Sequence, residues 1–498
     1  MSCLIEVVQN KSIFFFLLLL GLYFGLHLFR LTALPVFADE AIYIRWSQLI
    51  IDDFDRYLFY PMNDGKTPLL MWLSVPLLRL IDNQLLAARL VSVLLGAVSV
   101  SFIFLLLREF KQKQAAWWGM FLTIIAPFTF FYHRLALTDS LLLCNLIVAY
   151  YFTVKTVQGK NWLTIFGLAL FFFLAVMSKT PALLFIPVFY FTIFLTPKLT
   201  WRVLLRQFLL ISFGLGLALL TFYSFRVIPL FTQLFAVGGN FLQDRETILS
   251  AAIWPVVWRN GNFFLEQLMI YLGPIILILA LPLFTKTRRL QLILFLSAIL
   301  FLLPLILMGK IIYPRYILPS SFLLLSSAAI SLTHLRFHKF WRALLLALIL
   351  WPSLMFIQTS YFKVDQLPLS TADREQFFEE WSSGQGIKEA SDLIIELARN
   401  QKVAVATEGY FGTLPDGILL NLHNKDVSNI YVEGIGQPVR EIPKEFVRRA
   451  EDFDLKLLVV NSHRMKIELP SSQLLRSYCR PNQAPCLQIW QLNEENFK

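Results

Sequence analysis

Runs of apolar residues long enough to cross a bilayer constrain this chain more than any other feature of it. A spanning helix needs about 20 predominantly apolar residues, with a range of about 17–25. Runs of that kind lie near 12–30, 84–107, 115–132, 138–155, 162–178, 180–196, 207–225, 263–284, 290–308, 316–333 and 340–358. They number about eleven. Backbone inside hydrocarbon must satisfy its own hydrogen bonds, so such runs become helices, and the fold class is mainly α and polytopic. Composition agrees. The 498 residues are 57% hydrophobic and 15% charged, where a soluble chain carries about 25% charged residues. The run 69–81 is short for a span, and Arg79 and Asp82 at its end point to a helix lying along the interface. The run 13–29 has no small-residue cleavage site before the acidic loop that follows, so it reads as a signal anchor.

Basic residues set the expected orientation. With a cytoplasmic N-terminus, the inner turns hold Lys11, Lys111, Lys113, Lys160, Lys198, Arg202, Arg206, Lys286, Arg288, Arg289, Arg336 and Lys339, and the opposite turns hold most of the carboxylates. Lys and Arg concentrated in short cytoplasmic loops are the positive-inside pattern. The net charge of +11 is thereby an orienting signal rather than a nucleic-acid footprint. An odd number of spans places everything after residue 361 outside.

Composition changes abruptly at that point. Residues 1–360 read as a membrane domain with an outer loop at 31–83, and residues 361–498 as a small extracytoplasmic α/β domain. GIKEASDLIIELARN reads as an amphipathic helix, KVAVATEG as a buried strand, IPKEFVRRAEDF as a helix and LKLLVVNS as a strand. The domain has no GxGxxG, P-loop or HExxH motif, and WSSGQG, with Gly384 and Gly386, reads as a turn. It either binds an acceptor or caps the membrane part, the cap being the simpler reading. Cys479 and Cys486 flank RPNQAP; they form either a short disulfide hairpin, which would require an oxidising compartment, or two free thiols. Cys3 and Cys144 read as a terminal thiol and a small helix residue.

Charge inside so apolar a chain must be solvated, paired or in use. The loop PVFADEAIYIRWSQLIIDDFDRYLFYPMNDGKTP carries Asp39, Glu40, Asp52, Asp53, Asp55, Asp64 and Lys66. HRLALTDS brings His133, Arg134 and Asp139; SKTP brings Lys179; a later long loop brings Arg226, Asp244, Arg245, Glu246 and Arg259; GKIIYPRYILP brings Lys310, Tyr313, Arg315 and Tyr316. Arg89 is the one basic residue well inside a spanning run. Each has a bland reading: Asp139 as a helix cap, Lys179 and Lys310 as snorkelling ends, Asp52, Asp53 and Asp55 as a wet face. Their gathering on one membrane face suits a polar reaction on a lipid-borne substrate. A transporter would instead place ionisable groups and broken helices at mid-bilayer. A non-catalytic anchor displaying the C-terminal domain as a binding module is a third reading.

DExxY after the first helix, Lys-x-Pro closing the first outer loop and RxxxxD in the second together resemble the polyprenyl- or dolichyl-phosphate-sugar-dependent glycosyltransferases of the C-type membrane fold. That group includes protein O-mannosyltransferases and the lipid A aminoarabinose transferase. The resemblance implies transfer of a sugar from a polyprenyl-phosphate donor to a hydroxyl of a lipid, protein or glycan, in a bacterial-type cell membrane. It implies Asp39, Glu40 and Asp139 as catalytic carboxylates, with Tyr43 completing the first motif and Lys66 on the carrier phosphate. Arg134 and Lys179, with Arg259 or Arg245 and with Tyr313 and Arg315, are its candidate substrate-binding groups. Here Gly65 precedes Lys66 where the lipid A enzyme has Glu, and His133 is the sole histidine on this face, which argues against a zinc site of that kind. No metal ligand is assigned and no cofactor is certain; a divalent metal stays open. A flippase of lipid-linked sugars is the alternative function.

Overall fold

The computed structural model describes residues 2–159, 162–283, 287–335, 338–423, 425, 427–493 and 496, with backbone alone for 2–10. Lys160, Lys286 and Arg336 of the basic turns lie outside the described residues, as do the side chains of Cys3 and Glu6. Two compact units emerge. One holds the residues up to Leu31, Leu58–Leu70 and Arg89–Lys363; the other holds Thr32–Tyr57, Met71–Ala88 and the residues from Val364 on.

The first unit is helical. Among the described residues seven helices are long and apolar enough to cross a membrane, eight if one bent pair counts as a span. Prolines explain where continuous runs become broken helices. The run near 115–132 divides into Lys113–Ile125 and Pro127–Tyr132, because Pro127 has no N–H to give the preceding turn. The run near 180–196 alternates between 3₁₀ and α turns over Thr180–Phe185, Ile186–Phe191 and Thr192–Leu195, with Pro181 and Pro187 in its early turns. The run near 263–284 is bent by 106° between Ile253–Tyr271 and Pro274–Ala280. Gly273, at φ +83°, makes that corner in a region closed to most side chains.

Two spans form the centre of this unit: 83% of the apolar window of Thr138–Val157 and 89% of that of Pro314–His334 are buried, against 22% for Lys339–Phe362. With no water to expel between helices, contact there relies on small residues and hydroxyl bonds. Ser327 and Ser331 donate to the carbonyls of Ala280 and Leu279 at 2.7 and 2.6 Å, and Gln291 Nε2 donates to Ser331 Oγ at 2.7 Å.

The second unit is built on a five-stranded sheet in the order β2-β1-β3-β5-β4. The strands are β1 (Val403–Glu408), β2 (Ile430–Gly436), β3 (Leu455–Asn461), β4 (Leu474–Tyr478) and β5 (Leu487–Leu492). β1 runs parallel to β2 and β3, whereas β5 is antiparallel to β3 and β4. β1 is buried at every position, as the unbroken apolar run of KVAVATEG suggests for a central parallel strand. The helix Ile387–Leu397 buries Ile387, Ala390, Ser391 and Ile394 on one face. Lys444–Arg449 contributes Phe446 to a core with Ala404, Ala406, Leu458, Val460 and Trp490. Cys479 and Cys486 are disulfide-bonded across the turn from β4 to β5. The same unit takes in the outer-loop helix Ala38–Asp52.

Candidate active site

The Lys179 side chain organises the polar cluster of the first unit. The helix Trp162–Ser178 ends where SKTP begins, and Lys179 itself is extended, at φ −167° and ψ 132°, before the 3₁₀ turn starts. Its Nζ lies 2.8 Å from Asp139 Oδ1. Asp139 sits in the first turn of Thr138–Val157, where the helix dipole favours a carboxylate. The pair is asymmetric: the Asp139 side chain is 4% exposed and that of Lys179 is 23% exposed. Below it Asn145 Nδ2 donates to Ser178 Oγ at 3.1 Å, fastening the two helices that carry the pair.

Other cations gather on the same lysine. Its Nζ stands 4.8 Å from the centre of the Tyr316 ring, and its ammonium feels the charges of Arg315 and Lys66 as well as that of Asp139. Arg315 is buried at 8% exposure and lies over the Tyr313 ring at 5.0 Å. Tyr316, which the sequence places beside Arg315 in PRY without giving it a role, is the ring under the Lys179 ammonium.

Lys66, whose charge acts on Lys179, follows a tight turn at Gly65. The 3₁₀ turn Tyr60–Asp64 closes on Gly65 in the left-handed region, at φ +67°. A β-carbon there would meet Val237 Cβ at 2.6 Å. A side chain has no room at this position, and the left-handed backbone there favours glycine.

Other candidates have different surroundings. Arg134 is fully buried, and its guanidinium donates to the carbonyls of Leu26, His27, Phe29 and Arg30 at 2.8–3.1 Å. It thus caps the C-terminal end of the helix Ser2–Leu28, supplying donors to orphan carbonyls. Arg89, also fully buried, donates to Leu31 O at 3.0 Å. His133 is buried, and the ring of a second histidine, His27, lies 5.9 Å from it. Arg259 is exposed and bonds Asn260 Oδ1 at 3.0 Å and the carbonyls of Gly309 and Lys310 at 3.4 Å, joining the long loop to the turn that leads into Tyr313. Arg245 is exposed in the short helix Arg245–Leu249.

Asp39, Glu40 and Tyr43 belong to the second unit, on the first turns of Ala38–Asp52. Asp39 is half-buried. Glu40 is fully buried and its Oε2 accepts the Phe37 amide at 3.0 Å, the glutamate half of a capping box. Tyr43 is buried, 6.0 Å from the Trp46 ring. Asp52, Asp53 and Asp55 are exposed, and Asp52 Oδ1 faces His423 Nε2 at 3.0 Å. Among the described residues no three His, Cys, Asp or Glu side chains gather closely enough to hold a metal ion.

Known proteins bear on this geometry. Residues 65–228 match the dolichyl-phosphate-mannose-protein mannosyltransferase family, a stretch holding Lys66, Asp139 and Lys179. No curated protein matches in sequence. The crystal structure of ArnT from Cupriavidus metallidurans in the apo state is 14% identical, with a TM-score of 0.56 over 99% of both chains. The same protein bound to undecaprenyl phosphate is 13% identical, with a TM-score of 0.55 over 98% of this chain and 99% of that one. The fold is that of the C-type membrane glycosyltransferases. The Archaeoglobus fulgidus oligosaccharyltransferase in complex with Zn and sulfate shares it at 12% identity, with a TM-score of 0.53 over 90% of this chain and 68% of that one.

Proposed function

We propose that the protein takes a sugar from a polyprenyl-phosphate-linked donor and transfers it to an acceptor hydroxyl of a lipid, protein or glycan on the extracytoplasmic face. The observation that carries this reading is the Lys179–Asp139 pair with the charges of Arg315 and Lys66 beside it, in a chain of this fold. The transferred unit is a hexosyl or pentosyl group. About eleven spans are proposed, with the shorter apolar helices Leu69–Leu80, Trp162–Ser178 and Thr180–Leu195 as the reservoir from which the additional ones come. The N-terminus is cytoplasmic and the C-terminal α/β domain lies outside, the side on which the Cys479–Cys486 disulfide would persist.

The chemistry follows from the residue types. As the bond from the anomeric carbon to the phosphate oxygen breaks, the leaving phosphomonoester gains negative charge. Its second pKa is about 6, so it departs without a general acid. Lys179, Arg315 and Lys66 stabilise that charge in a partly dehydrated site. The acceptor oxygen forms its bond to the same carbon from the opposite face, and its proton passes to the Asp39 carboxylate. The result is a single displacement with inversion. Asp139 holds Lys179 in place, its negative charge opposing the effect of burial on the ammonium. Arg89, the basic residue inside a spanning run that a flippase could use, is buried on the Leu31 carbonyl.

Membranes carrying the protein, incubated with a panel of radiolabelled polyprenyl-phosphate sugars, test the reading. One label is expected to leave its carrier, and both Asp39→Asn and Lys66→Ala should slow that transfer by about 100-fold. Retention of near-normal transfer by both variants sinks the mechanism.

A further inference from the structure

The motif WSSGQG, unassigned by the reaction, lies directly against the turn that carries Asp39. Ala38 N donates to Ser382 O at 2.9 Å, and Phe37 forms an isolated antiparallel bridge with Ser383. Gly384 is the closest approach: a β-carbon there would stand 2.1 Å from Val36 O and 2.4 Å from Val36 Cγ1. No side chain fits at that distance, so glycine is required by the neighbour and not by its own backbone angle.

The same strap is tied to the sheet. Thr413 Oγ1 donates to Trp381 O at 2.6 Å, and the Arg464 guanidinium lies over the Trp381 ring at 4.5 Å. Arg480 Nη2 donates to Ser383 O at 3.1 Å and to Asn461 Oδ1 at 2.6 Å. Asn461 in turn donates to both oxygens of Glu408 at 2.7 Å. Glu408 and Asn461 end the parallel strands β1 and β3. In a 2-1-3 strand order the connections leave in opposite directions at those two ends, and α/β folds build their functional edges there. The loop after β1 arrives at the same place, with Gly412, at φ +108°, packed under Trp381 and its amide donating to Asp416 Oδ2 at 2.8 Å. A continuous set of bonds therefore runs from the ends of β1 and β3 through residues 381–384 to the backbone of Phe37 and Ala38.

We infer that the C-terminal sheet holds Asp39 in its reactive position through this strap, with Gly384, Trp381 and Thr413 as positioning residues. The inference rests on the proposed role of Asp39. A carboxylate that must reach an acceptor hydroxyl within hydrogen-bond distance loses about 100-fold in rate for a displacement of about 1 Å. Within the turn at residues 35–38 the Glu40 carboxylate holds the Phe37 amide, and the Phe37 ring packs on Phe377 at 4.5 Å. The strap adds a second set of bonds from an element that is rigid because it belongs to a five-stranded sheet.

Gly384→Ala and Thr413→Val in the full-length protein, in detergent or nanodiscs, test this. Gly384→Ala should lower kcat by about 100-fold with the donor KM unchanged, and Thr413→Val should lower it by a smaller factor in the same pattern. Hydrogen exchange of the 36–42 segment should accelerate in both variants while β1 and β3 keep their protection. Unaltered exchange at 36–42 overturns the strap, as does a donor KM that rises in step with the loss of kcat. If exchange changes as expected but the wild-type protein transfers no sugar from any donor, the strap stands and the transferase reading falls. Should Gly384→Ala also expose β1 and β3, Thr413→Val, which adds no bulk at the contact, decides the outcome alone.

Discussion

Arg134 and Lys179 are both basic residues at turns of the membrane unit, both named by the sequence as substrate ligands, and their surroundings differ. Arg134 spends its guanidinium on four carbonyls at the end of the first helix. Lys179 makes one bond to a carboxylate, stands over a tyrosine ring, and is 23% exposed with two further cations acting on it. The difference separates a cation that completes a helix end from one grouped with other cations. A cation whose donors go to backbone completes a helix end, and its removal leaves buried acceptors without partners. A cation collected with other cations beside one carboxylate raises the local positive potential, which is useful only when an anion arrives.

Substitutions can break this comparison or sharpen it. The largest effect is expected from Arg134→Met, which leaves carbonyls unsatisfied in an apolar interior at about 1–3 kcal/mol each. It should cost folded protein, read as a lowered Tm and loss of the monodisperse peak in size-exclusion chromatography. Lys179→Met should behave oppositely: a monodisperse protein with transfer reduced by about 100–1,000-fold, measured as label released from the carrier. A Lys179→Met protein that fails to fold while Arg134→Met folds and works poorly would reverse the assignment. The smallest effect is expected from Tyr316→Leu. It removes a cation–π contact of about 0.5–2 kcal/mol and should weaken transfer by about 30-fold at most, with the Tm nearly unchanged.

How much was legible in advance varies with the range of the interaction. The spanning helices follow from runs of apolar residues, because hydrocarbon leaves the backbone no alternative partner. In the second unit the same holds for β1, β3 and the two flanking helices, whose patterns are local. The breaks near Pro127 and Gly273 are encoded just as locally, yet run counting smooths over them. β2, β4 and β5 escaped notice: the half-buried IYVEGIG of β2 and the exposed residues of β4 carry little apolar signal. Among candidate residues, Asp139 and Lys179 were both named, but their pairing joins positions 40 residues apart. Glu40 read as catalytic because DExxY places it beside Asp39; its burial as a helix cap depends on the direction the helix presents to its own N-terminus.

The sequence by itself determined the helical, polytopic class of the molecule, the α/β character of its C-terminal part and the motif residues worth watching. These rest on composition and short-range periodicity, which act on each segment independently of the rest. Only the tertiary structure decided which charges cap helix ends and which are grouped with one another. Arg134 and Lys179 differ by which atoms lie within 3 Å, and those atoms come from distant segments. Gly384 is likewise an ordinary turn glycine until Val36, nearly 350 positions earlier in the chain, is packed against it.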